Sequence, residues 1–370
     1  MSRLPIMLLA DLKAATSVPD DLYRRYELYG SVINKISKGK SPGLLLISGG
    51  HQRDSFSSTD NHLQHFAHAA KRTQFRKAAT IAFRELQSRH ILPTMIIAGD
   101  PFFGLLSAFL LRKKFSRKIP IQVSFHGEIT KSGFGTGIKG RLQNLFIQKT
   151  IAKVESVRLV SNDQIHFAKK LFGVVDKQIV IAPVPLISTF KRTTRSKKKV
   201  VAFVGRIHPQ RGIGTWVEAM KNLSVKAEAL IIGDGPLKST FIEDLKEIPK
   251  VSINATGYIS QSELENTWAK ISVLLSTAPF ESYGMAMREA VLHGVPVVSM
   301  RNSGAQKLHD ECPKMITLVD NAEEAARDIE KVLDQPPSAV VVNKYKKDFL
   351  NAQESYLKSL AKSWLGTFGD

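Results

Sequence analysis

A chain of 370 residues exceeds one ordinary hydrophobic core, so two domains of about 150–200 residues each are expected. Its one cysteine, Cys312, excludes an intrachain disulfide framework, and no apolar run reaches the ~20 residues of a membrane span, which points to a cytoplasmic protein. The net charge of +20 is uneven: residues 1–190 hold 28 Lys and Arg against 12 Asp and Glu, an excess of +16 that draws anionic partners such as nucleic acid, acidic lipid surfaces or phosphorylated substrates.

In chain order, the opening run Pro5–Ala10 is too short for a signal-peptide core and reads as part of a first buried strand, Leu4–Ala10. Gly43–Ser48, Thr94–Ala98, Ile121–Phe125 and Arg158–Ser161 read as further strands, separated by helix-patterned stretches. The basic, aperiodic stretch 191–199 reads as a linker. A second set of strands follows at Val200–Val204, Ala229–Ile232, Val251–Ile253, Val273–Ser276 and Val295–Val298. The alternation predicts an α/β chain of two doubly wound, Rossmann-like parallel-sheet domains, 1–190 and 200–343, facing a central cleft into which ligand-binding loops project from the strand C-termini. The closing segment 344–370 carries Phe349, Tyr356, Leu357, Leu360 and Trp364 at helical spacing and is expected to pack back across the linker.

Four groups in the first half invite a functional reading. His126 ends the strand Ile121–Phe125, where an imidazole can donate to a ligand hydroxyl. His62, His65 and His68, at i, i+3 and i+6, read as a solvated helix face rather than a metal site, since no Cys or carboxylate accompanies them. Residues 131–140 contain four glycines and read as a mobile loop. The next segment, Arg141–Val154, interleaves Leu142, Leu145, Phe146 and Ile151 with Arg141, Lys149 and Lys153, a pattern open to an anionic membrane surface or to ordinary core packing with solvated lysines.

Three loops of the second half carry the chemistry. After Val200–Val204, Gly205 and Gly212 bracket Arg206 and Arg211, whose spacing lets two guanidiniums straddle a diphosphate. After Ala229–Ile232, Gly233-Asp234-Gly235-Pro236 makes either room for a ligand or an ordinary turn. After Val273–Ser276, a helix beginning near Gly284 would present the free amides of Gly284 and Met285 to an anion. Glu281 and Glu289 are eight residues apart, about 12 Å if all helical, so they grip opposite ends of one long ligand. The plain alternative is a helix-start carboxylate at Glu281 and a surface charge at Glu289.

Taken in order, Gly-Arg-x4-Arg-Gly, Gly-x-Gly-Pro, Gly257-Tyr258-Ile259, Glu-x7-Glu and Gly294-x-Pro-Val-Val298 resemble the nucleotide-binding half of retaining GT-B-fold glycosyltransferases of family 4, the glycosyl transferases group 1. The resemblance implies a metal-independent, retaining transferase without cofactor, moving a sugar from a nucleoside-diphosphate sugar to a glycan or lipid-linked acceptor. It implies that Arg206 and Arg211 hold the diphosphate, Glu281 the sugar hydroxyls and Glu289 the ribose. Tyr258 and Ile259 would border the base. Gly205, Gly235, Ser282, Tyr283, Gly284 and Met285 complete the donor-binding set, and His126 would lie beside the transferred sugar. Arg211 stands where the family more often has Lys, and Pro183-Val184-Pro185-Leu186 replaces its usual Asn-Gly-Val-Asp. The family's Gly-Gly loop after the first strand is also absent: Asp11–Asp21 follows there instead. A GT-B sugar-nucleotide epimerase, an inactive sugar-nucleotide-binding homologue and a nucleic-acid binder are the rival readings; no recognised module supports the last.

Overall fold

The computed structural model describes residues 2–10, 19–59, 62–115, 118–126, 137–187 and 198–366. The expected linker 191–199 and glycine-rich loop 131–140 lie outside the described residues except for 198–199 and 137–140. The chain divides into two units, one comprising Met1–Ile187 with Ala352–Asp370, the other Ser188–Asn351.

The first unit is built on strands β1 (Ser2–Leu9), β2 (Leu44–Ser48), β3 (Ser55–Thr59), β4 (Leu63–Ala67), β5 (Ile91–Ala98), β6 (Ile121–Phe125), β7 (Ser156–Leu159) and β8 (Ile179–Ile181). Their spatial order is β3-β4-β2-β1-β5-β6-β7-β8, parallel throughout except for the β3–β4 pair. Strands β2, β5 and β6 are buried along their whole length, the condition that makes such strands mostly apolar, with Ser48, Thr94, Gln122 and Ser124 the buried polar exceptions. Helices α1 (Pro19–Ile36), α2 (Phe75–Ser88), α3 (Phe103–Arg112), α4 (Ile138–Ile151) and α5 (Asp163–Phe172) provide the connections.

The histidine trio is not on a helix. His65 lies in β4, His62 precedes it in a left-handed turn (φ 70°), and His68 follows it. His65 and His68 are buried rather than solvated. Ser48 Oγ meets His65 Nε2 at 2.7 Å and Tyr23 Oη meets His65 Nδ1 at 2.7 Å, so partners distant in sequence satisfy a ring that the local pattern assigns to water. Burial lowers both rings to about 4.

The second unit contains β9 (Val200–Val204), β10 (Ala227–Ile232), β11 (Val251–Gly257), β12 (Val273–Ser276), β13 (Val297–Met300) and β14 (Ile316–Val319). Their order is β11-β10-β9-β12-β13-β14, all parallel. Helices α6 (Ile213–Asn222), α7 (Lys238–Lys246), α8 (Gln261–Thr267), α9 (Met285–Leu292), α10 (Ser303–Glu311) and α11 (Ala322–Asp334) alternate with them. The order reverses between β9 and β12, and the loops leaving those two neighbours diverge there.

The last helix, α12 (Ala339–Leu365), begins before residue 344, and its residues through Asn351 group with the second unit. Its final turns complete the first unit's core: Leu357, Leu360 and Trp364 pack with Tyr29, Leu44 and Ile97. Trp364 donates its indole N–H to Gln122 at 2.7 Å, and its carbonyl accepts from Thr94 at 2.9 Å. Gln353 brackets the Leu186 backbone, accepting at 2.9 Å and donating at 3.2 Å.

Candidate active site

Within the second unit, the loops after β9, β10 and β11 are tied edge to edge. Gly205 N–H donates to Ile232 at 2.9 Å, Ile207 N–H to Asp234 at 2.9 Å, and Gly233 N–H to Gly257 at 2.8 Å. These bonds explain the glycines. A Cβ on Gly233 would lie 1.9 Å from the Gly205 carbonyl, and one on Gly235 would lie 2.1 Å from that of Ile207. The Gly-x-Gly-Pro turn thus serves loop-against-loop packing, and Gly235 has a structural reason independent of any ligand. Gly205 differs: its φ of 144° requires glycine, while nothing lies within 4 Å of the point where a Cβ would stand.

The β9 loop also reaches β12. A Cβ on Gly212 would lie 2.1 Å from the Thr277 carbonyl, and Thr277 Oγ1 donates to the Arg211 carbonyl at 3.0 Å. This docking delivers Arg211 to Glu281, which its guanidinium meets at 2.5 Å. The pair is partly exposed, at 41% and 24% of the side chains, so it is worth no more than about 1 kcal/mol and exchanges easily. One guanidinium nitrogen is engaged; the others can bind an oxyanion without releasing Glu281.

The Thr277–Gly284 loop is braced from below. Asn302 caps α10 and donates to the Ala278 carbonyl at 2.9 Å, while Gly304 N–H donates to the Glu281 carbonyl at 2.6 Å. Arg288, buried in α9, donates to the Tyr283 carbonyl at 3.0 Å, stacks over the Tyr283 ring at 4.4 Å and pairs with Glu311. Ser282 and Tyr283 are therefore buried, and the Tyr283 ring is occupied by a cation. Gly284 caps α9 in a left-handed conformation (φ 72°, ψ 54°). The first intrahelical bond, Arg288 N–H to Gly284 at 2.9 Å, leaves the amides of Met285, Ala286 and Met287 without intrahelical acceptors. Val204, Arg211, Thr277, Glu281, Gly284 and Met287 line one hollow of about 390 Å³ that opens to solvent.

Glu289 is buried, not a surface charge, and accepts from Gln261 at the start of α8. Since Gln261 follows closely on Tyr258 and Ile259, this bond ties the β11 loop to α9. Only the second half of the Glu281–Glu289 interval is helical, so an all-helical 12 Å spacing does not apply. Tyr258 is 54% exposed beside this junction, and Ile259 is half-buried. Arg206 is exposed, and among the described residues its side chain makes no hydrogen bond or ion pair; it stands on the β9 loop outside the hollow's lining.

His126 belongs to the first unit, at the end of β6. Crowding, then the cations Arg158 and Arg25, push its imidazole well below the usual range. His126 as a residue is exposed, which moderates the desolvation but leaves its direction, a neutral ring at pH 7. Asp100 serves the structure, because its carboxylate accepts the Phe102 and Gly104 amides at 2.9 and 3.0 Å. Sequence reasoning missed Gln261, Thr277 and Gly304. Gln261 had a signal, because Ser260 and Glu263 form a capping box that marks a helix start just after Tyr258–Ile259. Among the described residues, no three His, Cys, Asp or Glu gather as metal ligands, and no helix is long and apolar enough to cross a membrane.

Residues 187–349 match the family Glycosyl transferases group 1. The GDP-mannose-dependent alpha-mannosyltransferase of Corynebacterium glutamicum is 31% identical over 116 residues, which cover 31% of this chain and 26% of that protein. The 2-deoxystreptamine N-acetyl-D-glucosaminyltransferase of Niallia circulans is 31% identical over 111 residues, 29% of this chain and 28% of its own length. The chain thus spans little more than a quarter of these curated relatives. Among solved structures, sucrose-phosphate synthase from Thermosynechococcus elongatus is similar with a TM-score of 0.73 at 15% identity, covering 98% of both chains. Anabaena HepE in complex with UDP-glucose is similar with a TM-score of 0.63 at 14% identity, covering 99% of this chain and 97% of that one. These likenesses show the fold: two Rossmann-like α/β domains of the GT-B type.

Proposed function

From the glycosyl transferases group 1 domain at residues 187–349, we propose that the chain is a nucleotide-sugar-dependent glycosyltransferase that retains anomeric configuration and needs no metal ion. The observation that carries this reading is the hollow where Arg211, Glu281 and the α9 N-terminus converge at the switch point between β9 and β12. An anion and a polyhydroxylated ring have complementary partners there: guanidinium and free amides for phosphate, carboxylate for vicinal hydroxyls.

In the proposed reaction the bond between the anomeric carbon and the diphosphate oxygen breaks, and the acceptor oxygen bonds to that carbon on the same face. The acceptor's proton passes to an oxygen of the leaving phosphate. Charge growing on the diphosphate is met by Arg206, Arg211 and the α9 amides, which do the work a divalent cation does elsewhere. Glu289, held by Gln261, accepts from the ribose, and Tyr258 and Ile259 border the base. Neutral His126 is proposed to contact a hydroxyl of the transferred sugar, on the strength of the resemblance. The acceptor is proposed to be a glycan or lipid-linked hydroxyl.

A thermal-shift and turnover screen of UDP-, GDP- and ADP-sugars tests this reading. At least one donor should raise the melting temperature and release nucleoside diphosphate, and EDTA should leave that release unchanged. Failure of every donor in both assays would falsify the proposal; loss of activity in EDTA would overturn metal independence alone.

A further inference from the structure

We propose that α4 docks on an anionic lipid bilayer, its outward aliphatic row entering the headgroup boundary while flanking cations meet acidic headgroups. The helix buries Gly140, Ile147 and Ile151 against the first unit. On its other side Ile138, Leu142 and Leu145 are 81%, 63% and 51% exposed. Their i, i+4, i+7 spacing sets them in one line. Single exposed aliphatics are ordinary, whereas a row of three on one helix is, among the described residues, an apolar face without a partner.

Charge decides what covers it. Lys139, Arg141 and Lys149 are exposed on the same helix, and Lys153 is exposed just beyond it. Arg112, at the end of α3, reaches the Lys153 carbonyl at 3.4 Å, which brings exposed Lys113 and Lys114 to the same end of α4. Residues 138–154 contain no Asp or Glu. The first acid, Glu155, is already paired with Arg112 at 3.3 Å and Lys118 at 3.4 Å. An aliphatic ridge rimmed by long, flexible cations fits a plane of acidic headgroups, since the lysine stems lie along the apolar boundary while their ammoniums reach outward. A single-stranded nucleic acid would call for exposed aromatic rings to stack on, whereas Phe146, the aromatic residue of this helix, packs against the core; a duplex would engage the cations but give the aliphatic row no apolar partner.

Flotation of the full chain tests this. Vesicles of phosphatidylcholine with about one third phosphatidylglycerol should carry the protein upward at about 0.1 M salt and less at about 0.5 M, while pure phosphatidylcholine should not. The pairs Leu142→Asp/Leu145→Asp and Lys149→Glu/Lys153→Glu should each weaken vesicle partitioning on the order of tenfold or more. Val340→Asp, which removes a side chain 77% exposed on α12, should float like the unmodified chain. Thermal melts should be unchanged; if the Asp pair lowers the melt, Leu142→Asn/Leu145→Asn replaces it. No flotation, equal binding to both vesicles, or full binding by the apolar variant would overturn the proposal. So would a dimer in sedimentation that Leu142→Asp dissolves, because a second copy would then own this face.

Discussion

Arg206 and Arg211 look alike in sequence and sit differently in the fold. Arg211 is already held by Glu281, whereas Arg206 is exposed and unpaired among the described residues. Arg206→Ala should therefore leave the melting temperature unchanged and lower kcat/KM for the nucleotide sugar on the order of a hundredfold, as loss of a charged transition-state donor does. Lys246→Ala, an exposed cation away from the loops, is the control. Gln261→Ala should raise donor KM more than it lowers kcat, because it loosens Glu289 without touching the diphosphate. The buried histidines give a pH prediction. An unfolded chain protonates His65 and His68 near 6.5, while the folded chain resists until about 4. The unfolded state then binds more protons as pH falls through that window, so stability drops by about 1.4 kcal/mol per pH unit for each ring. His65→Gln should flatten the slope in urea titrations taken between those limits.

At the level of elements, the close approach of the β9 and β10 loops sets a severe limit on substitution. Gly233→Ala and Gly235→Ala place a methyl about 2 Å from a carbonyl oxygen, and each should cost at least about 2 kcal/mol in chemical denaturation. Gly214→Ala, in α6 with open space around it, should be neutral or stabilising by about 0.5–1 kcal/mol. The central strands were legible because burial on both faces leaves mostly apolar residues, Ser48 being the one polar residue of β2 and Thr94 that of β5. Strand β4 was not, since His65 and Gln64 interrupt its pattern and the partners that satisfy His65 lie elsewhere in the chain. The loops of the site were legible through their glycines, but the reasons for those glycines were not. Gly235 answers to the Ile207 carbonyl, and the Arg211–Glu281 pair joins residues seventy apart, which no local pattern encodes. Glu289 read equally well as a clamp or a surface charge until its burial and its bond to Gln261 were seen.

Across the whole molecule, the first unit is the discontinuous one. Trp364 is fully buried in it, with its ring edge-on to Tyr29 at a centroid distance of 5.2 Å. Trp364→Ala should cost the first unit about 3–5 kcal/mol and leave the second unit's denaturation midpoint in place, which intrinsic fluorescence with limited proteolysis can separate. The same tryptophan fixes an order of events during synthesis. The second unit's described residues, 198–351, follow one another without interruption and can close their core as soon as they emerge. The first unit emerges earlier yet must wait for Leu357, Leu360, Trp364 and Leu365, which follow all of the second unit's described residues. The unit begun first therefore closes after the second, and until then the slot beside Tyr29 and Leu44 lacks the side chains that fill it.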